Sequence, residues 1–238
     1  MGMWSLTAAY DAKVPPVLNI VTTGLVMHVD AGNSLSYTGT GTTWKDLTGT
    51  VADGTLRNGP TYSASNGGFF SFNSSSSQYA TFPNSTALDN QAYTIEAWFR
   101  PNVLSHSGFL FEKGTVNTSY SLFLENNGYI YHRTNPLADL NVVTASFLNT
   151  TSWFQMVATY VNGTGQRLYV NGAQIASNST AGTVGTNANG MSIGAYGGVS
   201  GNSYFWNGSI AICRIYNRAI SLAEVQQNFN EQKVRFGL

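Results

Sequence analysis

From Gly24 onward the chain carries the two-residue period of half-buried β-strands: Leu25, Met27 and Val29 alternate with Val26, His28 and Asp30. Further strand segments read at Gly68–Phe72, Tyr79–Phe82, Thr94–Arg100, Gly108–Lys113, Tyr120–Asn126, Tyr129–Thr134, Trp153–Val161, Arg167–Val170, Ala173–Ser177, Met191–Ala195 and Gly208–Tyr216. In Tyr93–Pro101 (YTIEAWFRP), Ile95, Ala97 and Phe99 share one face and Thr94, Glu96 and Trp98 the other, which suits a central strand with both faces occupied. Asn127-Gly128 and Asn171-Gly172 each separate two apolar runs and predict hairpins, because both central positions of a type I′ turn favour positive φ.

The pattern changes at the two ends. Ser221 and Glu224 have capping-box spacing, and Leu222, Val225 and Phe229 fall about one turn apart, predicting one short C-terminal helix against the sandwich edge. Residues 1–23 have no strand period, contain Pro15-Pro16 and space out Trp4, Leu6 and Tyr10, which reads as an extended arm. Asn178–Gly190 is poor in bulky residues and reads as a long loop inside one domain. The expected organisation is an arm over 1–23 and one all-β domain over 24–238, a two-sheet antiparallel β-sandwich of the jelly-roll kind.

Composition narrows the function classes. The 25 glycines and 13% aromatics fit short strands and tight turns. With 9% charged residues and zero formal net charge, no charge field recruits nucleic acid or an anionic membrane. The lone Cys213 forms no intrachain disulfide, and residues 1–23 lack the basic start and unbroken apolar run of a signal peptide.

Thr23–Gly49 (TGLVMHVDAGNSLSYTGTGTTWKDLTG) resembles the opening of laminin G-like, concanavalin A-like jelly-roll domains of bacteriophage and bacterial surface proteins. YTIEAWFRP, Trp153–Ile175 (WFQMVATYVNGTGQRLYVNGAQI), Met191–Tyr196 (MSIGAY) and Trp206–Phe229 (WNGSIAICRIYNRAISLAEVQQNF) resemble the family's later strand motifs in their usual order. The resemblance implies a non-catalytic virion structural or display protein: a capsid decoration or fibre-attached module on the virion surface, made in the host cytoplasm. It would be held through the arm by other virion proteins and by copies of itself, with Trp4, Leu6 and Tyr10 as anchors. The alternative implied is a lectin or adhesin module that recognises host-surface glycans. Many members hold one calcium through acids, but the matching positions here are Asn73, Gln78 and Ala211, so calcium is disfavoured and no cofactor is expected.

Candidate chemistry is sparse. Glycoside hydrolysis needs two carboxylates about 5–9 Å apart, and Glu96 stands alone, with Trp98 and Arg100 where partner acids belong. Glu96 is therefore expected to face solvent or pair with Arg100, and no enzyme is expected. His28, His106 and His132 lie in separate segments, His28 packed or half-exposed and the other two at the surface. Cys213, Trp44, Trp98 and Trp206 read as core, and Asp30 and Asp46 as turn caps. Sugar recognition uses an exposed aromatic face beside amides and hydroxyls. Tyr196, Asn202, Tyr204 and Phe205 around one loop, and Tyr131 and Asn135 around another, are the candidates. Tyr204 shares strand parity with Trp206, which makes Phe205 the side chain expected outside.

Overall fold

The computed structural model describes residues 19–114, 119–137, 139–143, 147–198 and 202–238. Trp4, Leu6 and Tyr10 lie outside the described residues. The strands are β1 (Leu25–Asp30), β2 (Thr43–Trp44), β3 (Gly54–Arg57), β4 (Thr61–Ser63), β5 (Phe69–Phe72), β6 (Tyr79–Phe82), β7 (Ala92–Pro101) and β8 (Gly108–Lys113). They continue as β9 (Tyr120–Leu124), β10 (Tyr129–Thr134), β11 (Leu140–Val143), β12 (Phe154–Val161), β13 (Gly165–Val170), β14 (Ala173–Asn178), β15 (Met191–Ile193) and β16 (Gly208–Tyr216), followed by helix α1 (Leu222–Gln232).

Two antiparallel sheets result, as the strand pattern predicts. The first runs β14-β13-β12-β7-β16-β5-β4, with β1 pairing the second half of β16; the second runs β11-β10-β9-β8-β15-β6-β3-β2. Strands β2, β3, β4 and β11 were not anticipated, because two to four residues are too few to display a period of two. Between the sheets, Tyr93, Ile95, Ala97 and Phe99 of β7 and Phe154, Met156 and Ala158 of β12 meet Phe82, Leu110, Leu122, Leu124 and Ile130. Bulges at Ala211 and Leu110 each insert one unpaired residue, and both side chains stay buried.

The outer face of the first sheet is covered as well. Helix α1 and the 3-10 turn Lys233–Phe236 lie on it, and Trp98 stacks on Phe236 (centroids 4.4 Å apart) and on Phe229 (5.9 Å). The helix thus covers a face and not an edge. Its capping box forms as predicted, but Leu222 is 44% exposed, and the buried face is Val225, Asn228 and Gln232.

That cover overturns the expectation for Glu96, which is fully buried and ion-paired with buried Arg214 (2.9 Å). Its Oε1 also accepts from Trp98 Nε1 (3.2 Å) and Gln155 Nε2 (2.9 Å), and its Oε2 accepts from Asn228 Nδ2 (2.7 Å). A carboxylate survives without solvent only with such a set of donors. Of the segment assigned to the arm, residues 19–23 lie along the helix: Val21 N–H donates to Asn228 Oδ1 (2.8 Å), and the Tyr216 hydroxyl donates to Val21 O (3.1 Å).

His132 does not lie at the surface either. It points between the sheets, fully buried, with Nε2 2.9 Å from the Tyr93 hydroxyl, because its place in β10 has the same parity as Ile130. The loop after β14 is long, as expected, and is tied to the domain. Gln91 bonds Val184 through both its amide atoms (3.0 and 2.8 Å), and the buried Lys113 ammonium donates to Asn187 O (3.2 Å) and Asn189 O (2.9 Å) and pairs with Asp89 (3.1 Å).

Candidate functional site

Four connections meet at one end of the sandwich: the β5–β6 turn at Ser74–Ser76, the β7–β8 loop at Ser105–Ser107, the β9–β10 hairpin and the β15–β16 loop. They enclose two open depressions of about 530 and 430 Å³ that share Ser107, Asn126 and Tyr204. The larger adds Ser74, Ser75, Ser105, His106 and Phe205; the smaller adds Phe109, Glu125, Arg133 and Tyr196.

Tyr204 forms the ridge between them. It is 57% exposed and its φ is +45°, a left-handed conformation that costs a non-glycine residue about 1–2 kcal/mol. This outlier reverses the strand parity expected for the segment: no strand runs through Tyr204, its side chain turns outward, and Phe205 is half-buried against Tyr79 (centroids 5.7 Å). Trp206 packs in the core at right angles to Phe99, as expected.

Beneath the ridge runs a row of rings. Tyr204 and Tyr196 lie against Phe109 (6.3 and 4.7 Å), Phe109 stacks on Phe123 (4.4 Å), and Phe123 stacks on Tyr131 (5.0 Å). Tyr196, Tyr204, Phe205 and Tyr131 are therefore brought together. Asn202 is placed beside them, but its Nδ2 donates to Gly198 O (2.8 Å) and serves the loop. Asn135 is not brought together with them: it sits past the opposite end of β10, buried, with its backbone bonded to Ser119 O (2.7 Å) and Gly185 N (2.8 Å). Its position after a strand does not reveal which end of the sandwich the strand leaves from.

Hydrogen bonds fix the loops to one another. His106 Nε2 lies 2.9 Å from Phe205 O, and because a carbonyl only accepts, that nitrogen carries a proton. Asn126 N–H donates to Ser107 Oγ (3.1 Å). The hairpin is not the type I′ turn expected: only Gly128 has positive φ (+82°), and Gly128 N donates to Glu125 O (3.0 Å) while Glu125 N donates to Tyr129 O (2.9 Å). This is a type I turn with a glycine bulge. Asn171-Gly172 does adopt positive φ at both residues (+48° and +78°).

The sequence reading missed Ser105, His106, Ser107, Glu125 and Asn126. The polar run Ser105-His106-Ser107 between two strands was a signal for a surface loop; its neighbours required the sheet order. Arg133 lies over Phe123 (4.7 Å) and forms a two-armed pair with Asp139 (2.9–3.2 Å). Glu112, opposite Ser121 and Ser192 on this sheet, is buried, and burial pushes its carboxyl well above the usual range against the pull of Ser121 and Arg133.

The positions expected to have lost calcium do not fit the ion. Gln78 Nε2 donates to Asn58 O (3.1 Å) and Gly59 O (2.8 Å), its Oε1 accepts from Asn73 N (2.9 Å), and Asn73 Oδ1 accepts from Ser75 N (2.9 Å). These oxygens already receive amide hydrogens, Ala211 supplies none, and the set contains no carboxylate.

No curated protein sequence is significantly similar to this chain. Among solved structures it resembles the receptor-binding domain of botulinum neurotoxin C/D mosaic serotype (TM-score 0.67, 14% identity, 88% of this chain and 51% of that one). It also resembles the binding domain of botulinum neurotoxin DC in complex with SialylT (0.66, 13%, 88% and 52%) and Trypanosoma rangeli sialidase in complex with the inhibitor DANA (0.63, 17%, 88% and 33%). The chain spans about half of the toxin domains and a third of the sialidase, and the likeness is one of fold. The family model of the concanavalin A-like lectin/glucanases superfamily, laminin G type, matches residues 73–226. With that match spanning more than half of its length and the paired antiparallel sheets observed, the chain belongs to this superfamily.

Proposed function

We propose that the chain is a non-catalytic carbohydrate-binding domain whose sugar lies across the Tyr204 ridge. The observation that carries this reading is the outward, left-handed Tyr204 between two depressions edged by the hydroxyls of Ser74, Ser75, Ser105 and Ser107 and the Asn126 amide. A pyranose offers an apolar C–H face to a ring and a rim of hydroxyls to such groups. The toxin domain captured with SialylT supports the reading by likeness of fold. Against catalysis, Glu96 is buried under the helix, and burial and then Glu96 push the Cys213 thiol up. The alternative role on a capsid or fibre rests on Trp4, Leu6 and Tyr10, and no observation among the described residues favours it over glycan binding.

The test is a glycan array probed with the chain and its Tyr204→Ala variant. Losing roughly 60 Å² of apolar stacking costs about 1.5 kcal/mol, so affinity should fall about tenfold or more. The unfolding temperature should hold, because Tyr204 is largely exposed. Undiminished binding by the variant, or no binding of any glycan at millimolar concentration, refutes the proposal.

A further inference from the structure

We infer that this groove selects neutral glycans over acidic ones, with Glu125 as the discriminating side chain; the inference rests on the glycan-binding reading. Glu125 is the first residue of the hairpin turn, and its backbone N–H and C=O both close that turn, so its position is fixed. Its half-buried carboxylate lines the smaller depression, and among the described residues no ion pair or side-chain hydrogen bond engages it. Both oxygens are therefore available to accept sugar hydroxyls, which makes charge-assisted bonds.

Among the described residues, each basic side chain lining the two depressions already has a partner. Arg133 lines the same depression, but Asp139 holds it by two arms and Phe123 covers one face of the guanidinium. An acidic sugar would meet this guanidinium with its charge already balanced by the Asp139 carboxylate. His106 in the other depression directs Nε2–H at the Phe205 carbonyl. Glu112, behind Arg133, adds negative charge or none. Arg133 and Asp139 cancel, and Glu125 leaves the face negative by one charge. A sugar carboxylate or sulfate about 5 Å away meets that charge at partial exposure, a repulsion of about tenfold or more in affinity.

The experiment titrates the full chain with neutral probes (lactose, chitotetraose, cellotetraose, mannotriose) and acidic ones (sialyllactose, tetragalacturonate). The tightest neutral probe should bind at least tenfold more tightly than either acidic probe. Added salt should narrow that gap in the wild type, and Glu125→Gln should narrow it to about threefold without salt. A wild type that binds sialyllactose or tetragalacturonate as tightly as any neutral probe overturns the selection while leaving glycan binding intact. A ratio unmoved by Glu125→Gln overturns the assignment to Glu125, and no binding of any probe overturns both proposals.

Discussion

Replacing Arg214 by Met should show how firmly the C-terminal helix is held. Arg214 and Glu96 are both fully buried beneath it, 2.9 Å apart. In Arg214→Met the carboxylate keeps Trp98, Gln155 and Asn228 as donors but loses the one countercharge paired with it among the described residues. Removing one partner of a buried pair costs about 3–5 kcal/mol, roughly a fifth or more of the 5–15 kcal/mol that holds a typical domain. At roughly 2–4 °C per kcal/mol for a chain of this size, the melting temperature should fall by about 6–20 °C. Glu96→Gln should cost a similar amount by stranding a guanidinium whose Nε and Nη2 already have no partner among the described residues. The double variant Glu96→Gln/Arg214→Met removes both charges, so it should cost less than the sum of the singles by about 2 kcal/mol or more. Thermal and urea unfolding of the four proteins measure the cycle. Singles that each cost under about 1 kcal/mol, or that add to the double, would mean that the pair is wet and the helix is not the cover described above.

Burial lowers His132 to about 3, and burial and then Arg214 and Arg235 lower His28 to about 2, from 6.5. The folded chain therefore refuses two protons that the unfolded chain takes up below pH 6.5. Stability from this source is complete above pH 6.5 and falls as pH drops, by about 4 kcal/mol at pH 5 for the pair; urea midpoints equal at pH 7 and pH 5 would contradict it. At Gly165 (φ +95°) an added Cβ would lie 1.9 Å from Asn178 O on the next strand, whereas at Gly163 (φ +80°) it meets nothing within 4 Å. Gly163→Ala should cost about 1 kcal/mol of backbone strain and Gly165→Ala clearly more, and equal urea-unfolding costs would count against the β13–β14 pairing.

The contrast between Glu96 and Tyr204 shows what the sequence makes legible. Alternation placed Glu96 on the face opposite Ile95 and Ala97, and that was right; what lies over the face was invisible, because its cover arrives with Asn228, more than a hundred residues later. Alternation failed outright at Tyr204, where one left-handed residue turns the side chain out of the expected order. The C-terminal helix was legible from its cap, and Val225 and Phe229 of its apolar stripe do pack on the sheet while Leu222 does not. The polar half of the buried face, Asn228 and Gln232, was not legible, because Asn228 answers a carboxylate and a tyrosine hydroxyl that the sheet beneath supplies. In the site, the rings could be picked out one by one. Glu125 and Asn126 could not, since only the order of β8, β9 and β10 in the second sheet shows that their hairpin opens beside Ser107.

The two faces of the sandwich accordingly do different work. On the first sheet, the helix, residues 19–23 and the Glu96 network cover most of the outer face, leaving a small depression of about 220 Å³ beside Arg100 and Trp153. On the second, the stacked pair Phe109 and Phe123 builds a floor, and two hydrogen bonds, His106 to Phe205 and Asn126 to Ser107, tie three separate loops above it. Loops tied in this way lose little freedom when a ligand arrives, so weak contacts from a few hydroxyls and one ring retain more of their energy as affinity. A shallow groove then selects by what it repels as much as by what it holds, and on this face the uncompensated group is the Glu125 carboxylate.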